Sequence, residues 1–398
     1  MSSIYMDNQA TTRVDPRVVQ RMLPFFGEDY GNAASRGHAF GWKAEEAVEV
    51  ARSAVAQLLG TSGREIIFTS GATESNNLAL LGLARAYARR GNHIITQATE
   101  HASVRDVLAH LEGEGVRITY LPVDAYGRVE PVDVARAIED ETIAVSIMAA
   151  NNEVGTLQPL ADIGEICRAR GVLLHSDMAQ ALGKLPLQVD VLKVDVASVS
   201  AHKMYGPKGV GALYVRRRDP RVTLAPQMHG GGHERGLRSG TLNVPGIVGF
   251  GAACTLAADE LPNEQVRLRG LRDRLADGLR DQVGDVYLNG HPSERLAGNL
   301  NVAFAGIAAE QLLLALPEIA MSTGSACSSA ALAPSHVLTA MAVPQALSRG
   351  SVRFGLGRFT TSEEVDAVVA RVAEKVRLLR ARNPQSTGSR SRGIRPTL

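Results

Sequence analysis

The feature that most limits how this chain can fold is a regular alternation of short apolar runs with longer amphipathic stretches. Glu65 to Thr69 (EIIFT) reads as a strand, with a helix expected from about Thr73. His93 to Thr96 (HIIT) reads as a strand, with a helix from about Ala102. Val116 to Leu121 and Thr142 to Met148 are two further expected strands, Leu160 to Arg170 a helix, and Val172 to His175 (VLLH) a strand. Val196 to Val199 and Val210 to Val215 complete the series. Strand–helix alternation at this density implies an α/β fold, a mainly parallel sheet covered by helices. In such sheets a ligand sits at the carboxyl ends of the strands. The polar clusters of this sequence follow strand ends, which gives the first indication of a site.

Around this series the chain divides. His38 to Leu59 reads as one long helix, with Ala44, Ala47, Val48, Ala51, Val55, Leu58 and Leu59 on one face and Gly60 as its stop. After about Leu261 the pattern changes to longer helices and few strands. The expected organisation is a large domain over 16–260 and a smaller α+β domain over 261–382 joined by 1–15. The last residues, 383–398 (NPQSTGSRSRGIRPTL), have almost no apolar content and read as a disordered basic tail. A length of 398 residues suits two domains.

Charge and cysteine content narrow the function. The net charge is +2, so the molecule as a whole is neither a DNA-binding protein nor a membrane-surface binder. No apolar window of bilayer-spanning length is read in the sequence. Six arginines and no acids follow from Arg377 onward, which leaves the body mildly acidic. Three cysteines, Cys167, Cys254 and Cys327, are too few and too odd a set for a disulfide framework and point to a reducing compartment. The start, MSSIYMDNQATT, lacks a basic region followed by an apolar run, so cytoplasm is the expected location.

Chemistry concentrates at particular residues. Lysine is scarce, six against 37 arginines, yet Lys203 sits in SVSAHKMYGPKGVG, past a strand and before a Gly-rich turn. A lysine there suits a Schiff base with an aldehyde cofactor, although alone it reads more readily as an exposed loop lysine. Thr69 to Ser75 (TSGATES) runs from a strand into a helix whose free N–H groups can hold an anion, or form an ordinary cap. Asp177 follows VLLH, where a carboxylate can pair with a pyridinium nitrogen or cap a turn. Gln180 and Asn152 also follow strand ends, with amides able to reach a ring hydroxyl. His101, in ATEHASV, opens a helix after a strand and can stack on a flat cofactor or move protons. His229 and His233 flank three glycines, with no further ligand cluster to make a metal site. Cys167 and Cys254 fall in helix-like apolar patterns, whereas Cys327 lies in STGSACSSA, a run of small polar residues. Arg353, in SVRFGLGR, can grip a carboxylate with two parallel hydrogen bonds.

Together the motifs resemble those of the cysteine desulfurases of the NifS/IscS type, within the class V aminotransferase family of fold-type I pyridoxal-phosphate enzymes. In order they are YMDNQATTRVDP, GNAASRGHAFG, FTSGATESNN, TEHASV, ANNEVGT, HSDMAQALGK, SAHKMYGPKGVGALYVRR, HGGGHERGLRSGT, STGSACSSA and SVRFGLGRFTT, spanning nearly the whole chain. HGGGHERGLRSGT leans toward the housekeeping iron–sulfur type.

The resemblance implies a homodimer using pyridoxal 5'-phosphate to convert L-cysteine to L-alanine, with the sulfur held as a persulfide on Cys327. Lys203 would carry the cofactor and act as base. Ala72, Thr73, Ser200 and His202 would bind its phosphate, joined by Thr241 of the partner subunit. Asp177 would pair with the ring nitrogen, Gln180 and Asn152 would contact the ring oxygen, and His101 would stack on the ring and donate a proton. Arg353 and Asn152 would hold the substrate carboxylate. The sulfur acceptor would be an iron–sulfur scaffold or a tRNA-thiolation protein. The alternative is selenocysteine lyase or a related β-eliminating enzyme, which would not need Cys327. Ala201 stands where the family has Gly, adding a methyl beside the expected cofactor, Ala33 replaces a Pro, and the Arg-rich tail is unlike the family's C-terminus.

Overall fold

The computed structural model describes residues 3–323 and 334–382. Its centre is a seven-stranded sheet in the order Ile66–Thr69, Gly211–Val215, Val196–Ser200, Leu173–Asp177, Thr142–Ser146, His93–Gln97, Arg117–Leu121. All neighbours are parallel except Gly211–Val215, which runs antiparallel to both of its partners. Alternate side chains enter opposite layers, as strand geometry requires. Ile67, Ile94, Leu173, Val196 and Leu213 pack with Leu80, Leu83, Val104 and Leu108 of the helices Ala72–Ala86 and Ala102–Gly113. Phe68, Ile95, Leu174, Ala197 and Ala212 pack on the other face with Val48, Val55, Ile163 and Phe250. Burial on both faces is why these strands read as continuous apolar runs.

The expected strands are present, with shifted ends. Leu173–Asp177 runs two residues past VLLH because Asp177 still pairs with Ser198, so the aspartate ends the strand rather than following it. The long helix is Ala39–Leu59; His38 caps it through Nδ1, which accepts from the Gly41 amide, and Gly60 ends it at a φ of +68°. That left-handed conformation is one an L side chain rarely adopts.

A three-stranded antiparallel sheet, Val286–Asn289, Asn299–Phe304 and Ser351–Gly355, packs under helix Ser362–Arg382 with its own core of Leu275, Leu279, Val302, Phe354, Val368 and Val372. The N-terminal strand Ile4–Tyr5 pairs in parallel with Ile319–Ala320 and adds Ile4 and Met6 to that core. The drawn boundary at 260/261 falls inside one helix, Val244–Val283, which continues through Pro262. Its residues up to Ala257 belong to the core of the large sheet, and those from Leu268 onward to the core of the small one.

This helix also corrects the reading that no apolar window is long enough to span a bilayer. By length and composition it is long and apolar enough, with a mean hydropathy of 1.2 over its best stretch. Half of that stretch is buried inside the protein. Ile247, Phe250, Ala253 and Cys254 pack in the large core, so the apolar content serves protein packing.

Candidate active site

The carboxyl ends of the strands open on a cleft of about 490 Å³, a size suited to a cofactor-sized ligand. One wall is the turn after Ile66–Thr69. Gly71 caps the helix Ala72–Ala86 at a φ of +151°, and a Cβ on Gly211 would lie 2.6 Å from the Gly71 Cα. Glycine at both positions lets the turn lie against the sheet, so Ala72 and Thr73 present the helix N-terminus to the cleft. Glu74, one residue on, accepts from the Ser70 amide at 2.8 Å and from Arg238 Nε at 2.8 Å. Burial raises the Glu74 carboxyl, and the bonds from Arg238 and Ser70 more than reverse this, so it lies below its usual range.

The opposite wall follows Val196–Ser200. Ser200 is buried, and a short 3-10 turn, Ala201–Lys203, carries His202 and Lys203 into the cleft. Lys203 Nζ donates to the carbonyls of Gln9 at 2.8 Å and Ala10 at 2.7 Å, which fixes the N-terminal segment beside it. His202 Nδ1 lies 3.1 Å from Thr11 Oγ1. Its ring is pushed down to about 4, first by burial and then by the positive charges of Lys203, Lys208 and Lys184. A cleft wall this electropositive, facing a helix N-terminus, is a site for an anion such as a phosphate. Ala201 does not line the cleft: it is fully buried in the large core, with its methyl toward Gly206. The extra carbon therefore adds no bulk beside the ligand.

Asp177 closes the floor. Its Oδ1 accepts from the Ala179 amide and its Oδ2 from Asn76 Nδ2, both at 2.9 Å. Glu100 is fully buried nearby and accepts from the Met148 amide at 2.6 Å. Burial first, and then the negative charge of Asp177, push the Glu100 carboxyl well above its ordinary range. Gln180 donates through Nε2 to the Gln9 carbonyl at 2.9 Å, and its Oε1 accepts from Lys184 Nζ at 2.8 Å. Burial and the neighbouring Lys203 push the Lys184 amine down to about 7.

His101 caps the helix Ala102–Gly113, its Nδ1 accepting from the Ser103 amide at 3.1 Å. Arg353 reaches the cleft from the small sheet and is 2% exposed. Nη2 donates to Asp7 Oδ1 at 2.7 Å and Nη1 to the Asn152 carbonyl at 2.9 Å. Its Nε is buried and has no hydrogen-bond partner among the described residues.

The cleft thus gathers Ala72, Thr73, His101, Asn152, Asp177, Gln180, Ser200, His202, Lys203 and Arg353. Thr241 is exposed and does not line it. Cys327 lies outside the described residues, as does the basic tail over 383–398. On either side of the Cys327 segment, Ser322 exchanges backbone hydrogen bonds with Arg353, and Ser335 Oγ donates to Glu153 Oε2 at 2.5 Å. Cys167 and Cys254 are buried core thiols, and burial pushes both well above the usual range. Sequence reading missed Asn76, Glu100, Ser103, Glu153 and Lys184. Asn76 lies one helical turn beyond Ala72 and Thr73 in SGATESNN, a signal that was available; the others are defined by what folds over them.

The aminotransferase class-V family matches residues 4–368, and the chain belongs to that family. Among its relatives are cysteine desulfurases. One named cysteine desulfurase IscS, from Anaeromyxobacter sp. (strain Fw109-5), is 56% identical over 96% of this chain and 94% of its own. Another of that name, from Rickettsia bellii, is 51% identical over 96% and 93%. A solved structure described as a NifS-like protein shares 40% identity at a TM-score of 0.88, covering 94% of this chain and 100% of that one. A second, described as SspA in complex with cysteine, shares 35% identity at a TM-score of 0.78, covering 90% and 100%.

Proposed function

We infer that this chain is a cysteine desulfurase that converts L-cysteine to L-alanine and takes the sulfur onto Cys327 as a persulfide, with pyridoxal 5'-phosphate as cofactor. The observation that carries the reading is Lys203 and Asp177 in one cleft with a helix N-terminus and an electropositive wall between which an anion fits. These residues match the donors such a cofactor needs. Ala72, Thr73, Ser200 and His202 would hold its phosphate, Lys203 its aldehyde carbon, Asp177 its ring nitrogen, and Gln180 and Asn152 its ring oxygen. When bound, the cofactor supplies an electron sink that makes the α-proton of an amino acid acidic.

The protein's own groups do the rest. Arg353, which lines the cleft, holds the substrate carboxylate, and the Asp7 and Asn152 bonds keep the guanidinium in position beforehand. The Lys203 amine accepts the α-proton. Cys327, as thiolate, attacks the substrate sulfur. The substrate's carbon–sulfur bond breaks as the new sulfur–sulfur bond forms, and His101 returns a proton to the carbon that becomes the alanine methyl. One cysteine and one enzyme thiol become one alanine and one enzyme persulfide, with no external oxidant.

The assembly is a homodimer, in which Thr241 completes the partner's phosphate site. Its exposed position outside the cleft of its own chain fits that role. Val50, more than half exposed, lines a cleft of about 940 Å³ between the first helices and Val244–Val283, and with the exposed Phe26, Tyr30, Phe40 and Trp42 of the same N-terminal region supplies apolar surface for the second copy. The persulfide passes to an iron–sulfur scaffold or a tRNA-thiolation protein in the cytoplasm. The deciding experiment is stoichiometric: alanine released from cysteine by the yellow, cofactor-loaded protein, with sedimentation giving the mass of the assembly. No alanine from the loaded protein would end the assignment.

A further inference from the structure

Behind the cleft, four side chains form one directed chain of hydrogen bonds. Asn76, from the helix that opens at Ala72, is fully buried. Its Nδ2 lies 2.9 Å from Asp177 Oδ2 and 2.9 Å from Ser103 Oγ. Ser103, 9% exposed, lies with Oγ 2.8 Å from His101 Nδ1. The direction of each bond follows from what each group can do. A carboxylate only accepts, so the Asn76 atom facing Asp177 is the amide nitrogen. Its two hydrogens serve two acceptors, Asp177 and Ser103. The Ser103 backbone N–H donates to His101 Nδ1 from 3.1 Å, so that nitrogen is an acceptor, and the Ser103 hydroxyl beside it, which accepts from Asn76, gives its own proton to the same nitrogen.

With the backbone amide donating to it, His101 Nδ1 faces two donors. A neutral imidazole in that setting carries its hydrogen on Nε2, at the opposite edge of the ring. We propose that Asn76 and Ser103 are positioning residues that hold His101 as the Nε2–H tautomer and take their orientation from Asp177. This rests on the roles given above to His101 and Asp177. One carboxylate then serves two purposes: it faces the cofactor nitrogen directly, and through two neutral side chains it selects the tautomer that can donate a proton into the cleft. The Ser103 amide bond is a helix cap that already asks Nδ1 to accept. The hydroxyl, oriented by Asn76, adds a second donor to the same nitrogen.

The test uses the full-length, cofactor-loaded protein labelled with ¹⁵N-histidine, His101 being assigned by its loss in His101→Gln. In the unsubstituted protein the His101 signals should be those of a bare Nδ1 and a protonated Nε2. Ser103→Ala should introduce the Nδ1–H tautomer and lower kcat for alanine formation about tenfold, one decade of the several that positioned proton transfer supplies, with KM unchanged. Ser103→Thr, which keeps the hydroxyl, should restore both. An unchanged tautomer in Ser103→Ala overturns the proposal whatever happens to kcat. Loss of the tautomer in Ser103→Thr as well also overturns it, by tracing the effect to packing. If His101→Gln forms alanine at the full rate, the role of His101 as donor falls, while the tautomer measurement still decides the proposal.

Discussion

Arg353 and Asp7 form an ion pair of 2.7 Å across 346 positions of sequence, tying the first residues of the chain to the small sheet at the edge of the cleft. With Nη1 held by the Asn152 carbonyl, the guanidinium is fixed before any substrate arrives. Preorganisation of this kind saves ordering cost on binding.

Arg353→Ala should raise KM for cysteine by about 30-fold or more, since truncating one partner of a buried charge pair costs about 2–5 kcal/mol. The cofactor should stay bound, as judged by its visible absorbance. Asp7→Ala should instead lower stability by about 3 kcal/mol, because it leaves the buried guanidinium with less compensation; a urea midpoint measures this. An unchanged KM in Arg353→Ala would show that the arginine faces elsewhere.

Lys203→Ala should abolish alanine formation, because it removes both the anchor and the base. The measurement is alanine from cysteine under excess cofactor, alongside the absorbance of the purified protein, which should lose the band of lysine-bound cofactor. Near-normal turnover would exclude the assignment.

Cys327→Ser should keep the cofactor colour and lose persulfide, while Cys167→Ser and Cys254→Ser keep activity. The two core thiols are buried and held protonated, hence poor nucleophiles. Mass spectrometry of cysteine-treated protein should place the added sulfur on the peptide containing Cys327.

Glu153 makes stability depend on pH. Burial pushes its carboxyl from 4.5 up to about 7, with Ser335 and Arg353 opposing the rise. Between those values the folded protein binds more protons than the unfolded chain. The associated stability is full below 4.5 and is lost as pH rises through about 7, amounting to about 3 kcal/mol. Glu153→Gln keeps the shape and an acceptor for Ser335, so its denaturation midpoint should fall less between mildly acidic and mildly alkaline buffer. Equal falls in both proteins would remove Glu153 as the cause.

Arg238→Ala should weaken cofactor binding about tenfold, because the Glu74 carboxylate is then unopposed one residue from the phosphate-facing end of its helix. Glu74→Gln in the same protein should restore most of the affinity. A titration followed by absorbance separates this from a general loss of structure, which the second substitution would not repair.

The local grammar of the chain determined much of this protein. Apolar runs set the strands, helical spacing over Ala44, Val48, Ala51 and Val55 set the long helix, and Gly60 ended it. Most of the motif residues that line the cleft were legible because they sit near a strand end or helix start, where side-chain type and local backbone fix direction. Other features needed the tertiary structure. The helix Val244–Val283 crosses the drawn boundary because its two halves bury against different sheets, and periodicity is blind to which sheet. Arg353 was legible as a carboxylate grip, but its ties to Asp7 and the Asn152 carbonyl were set only by folding. Glu100 and Glu153 are ordinary acids in the sequence; only burial by distant segments raises their proton affinity. Asn76 and Ser103 likewise acquire a direction only because two helices bring them between Asp177 and His101. Hydrogen-bond direction and proton affinity depend on neighbours far along the chain, and those neighbours exist only once it has folded.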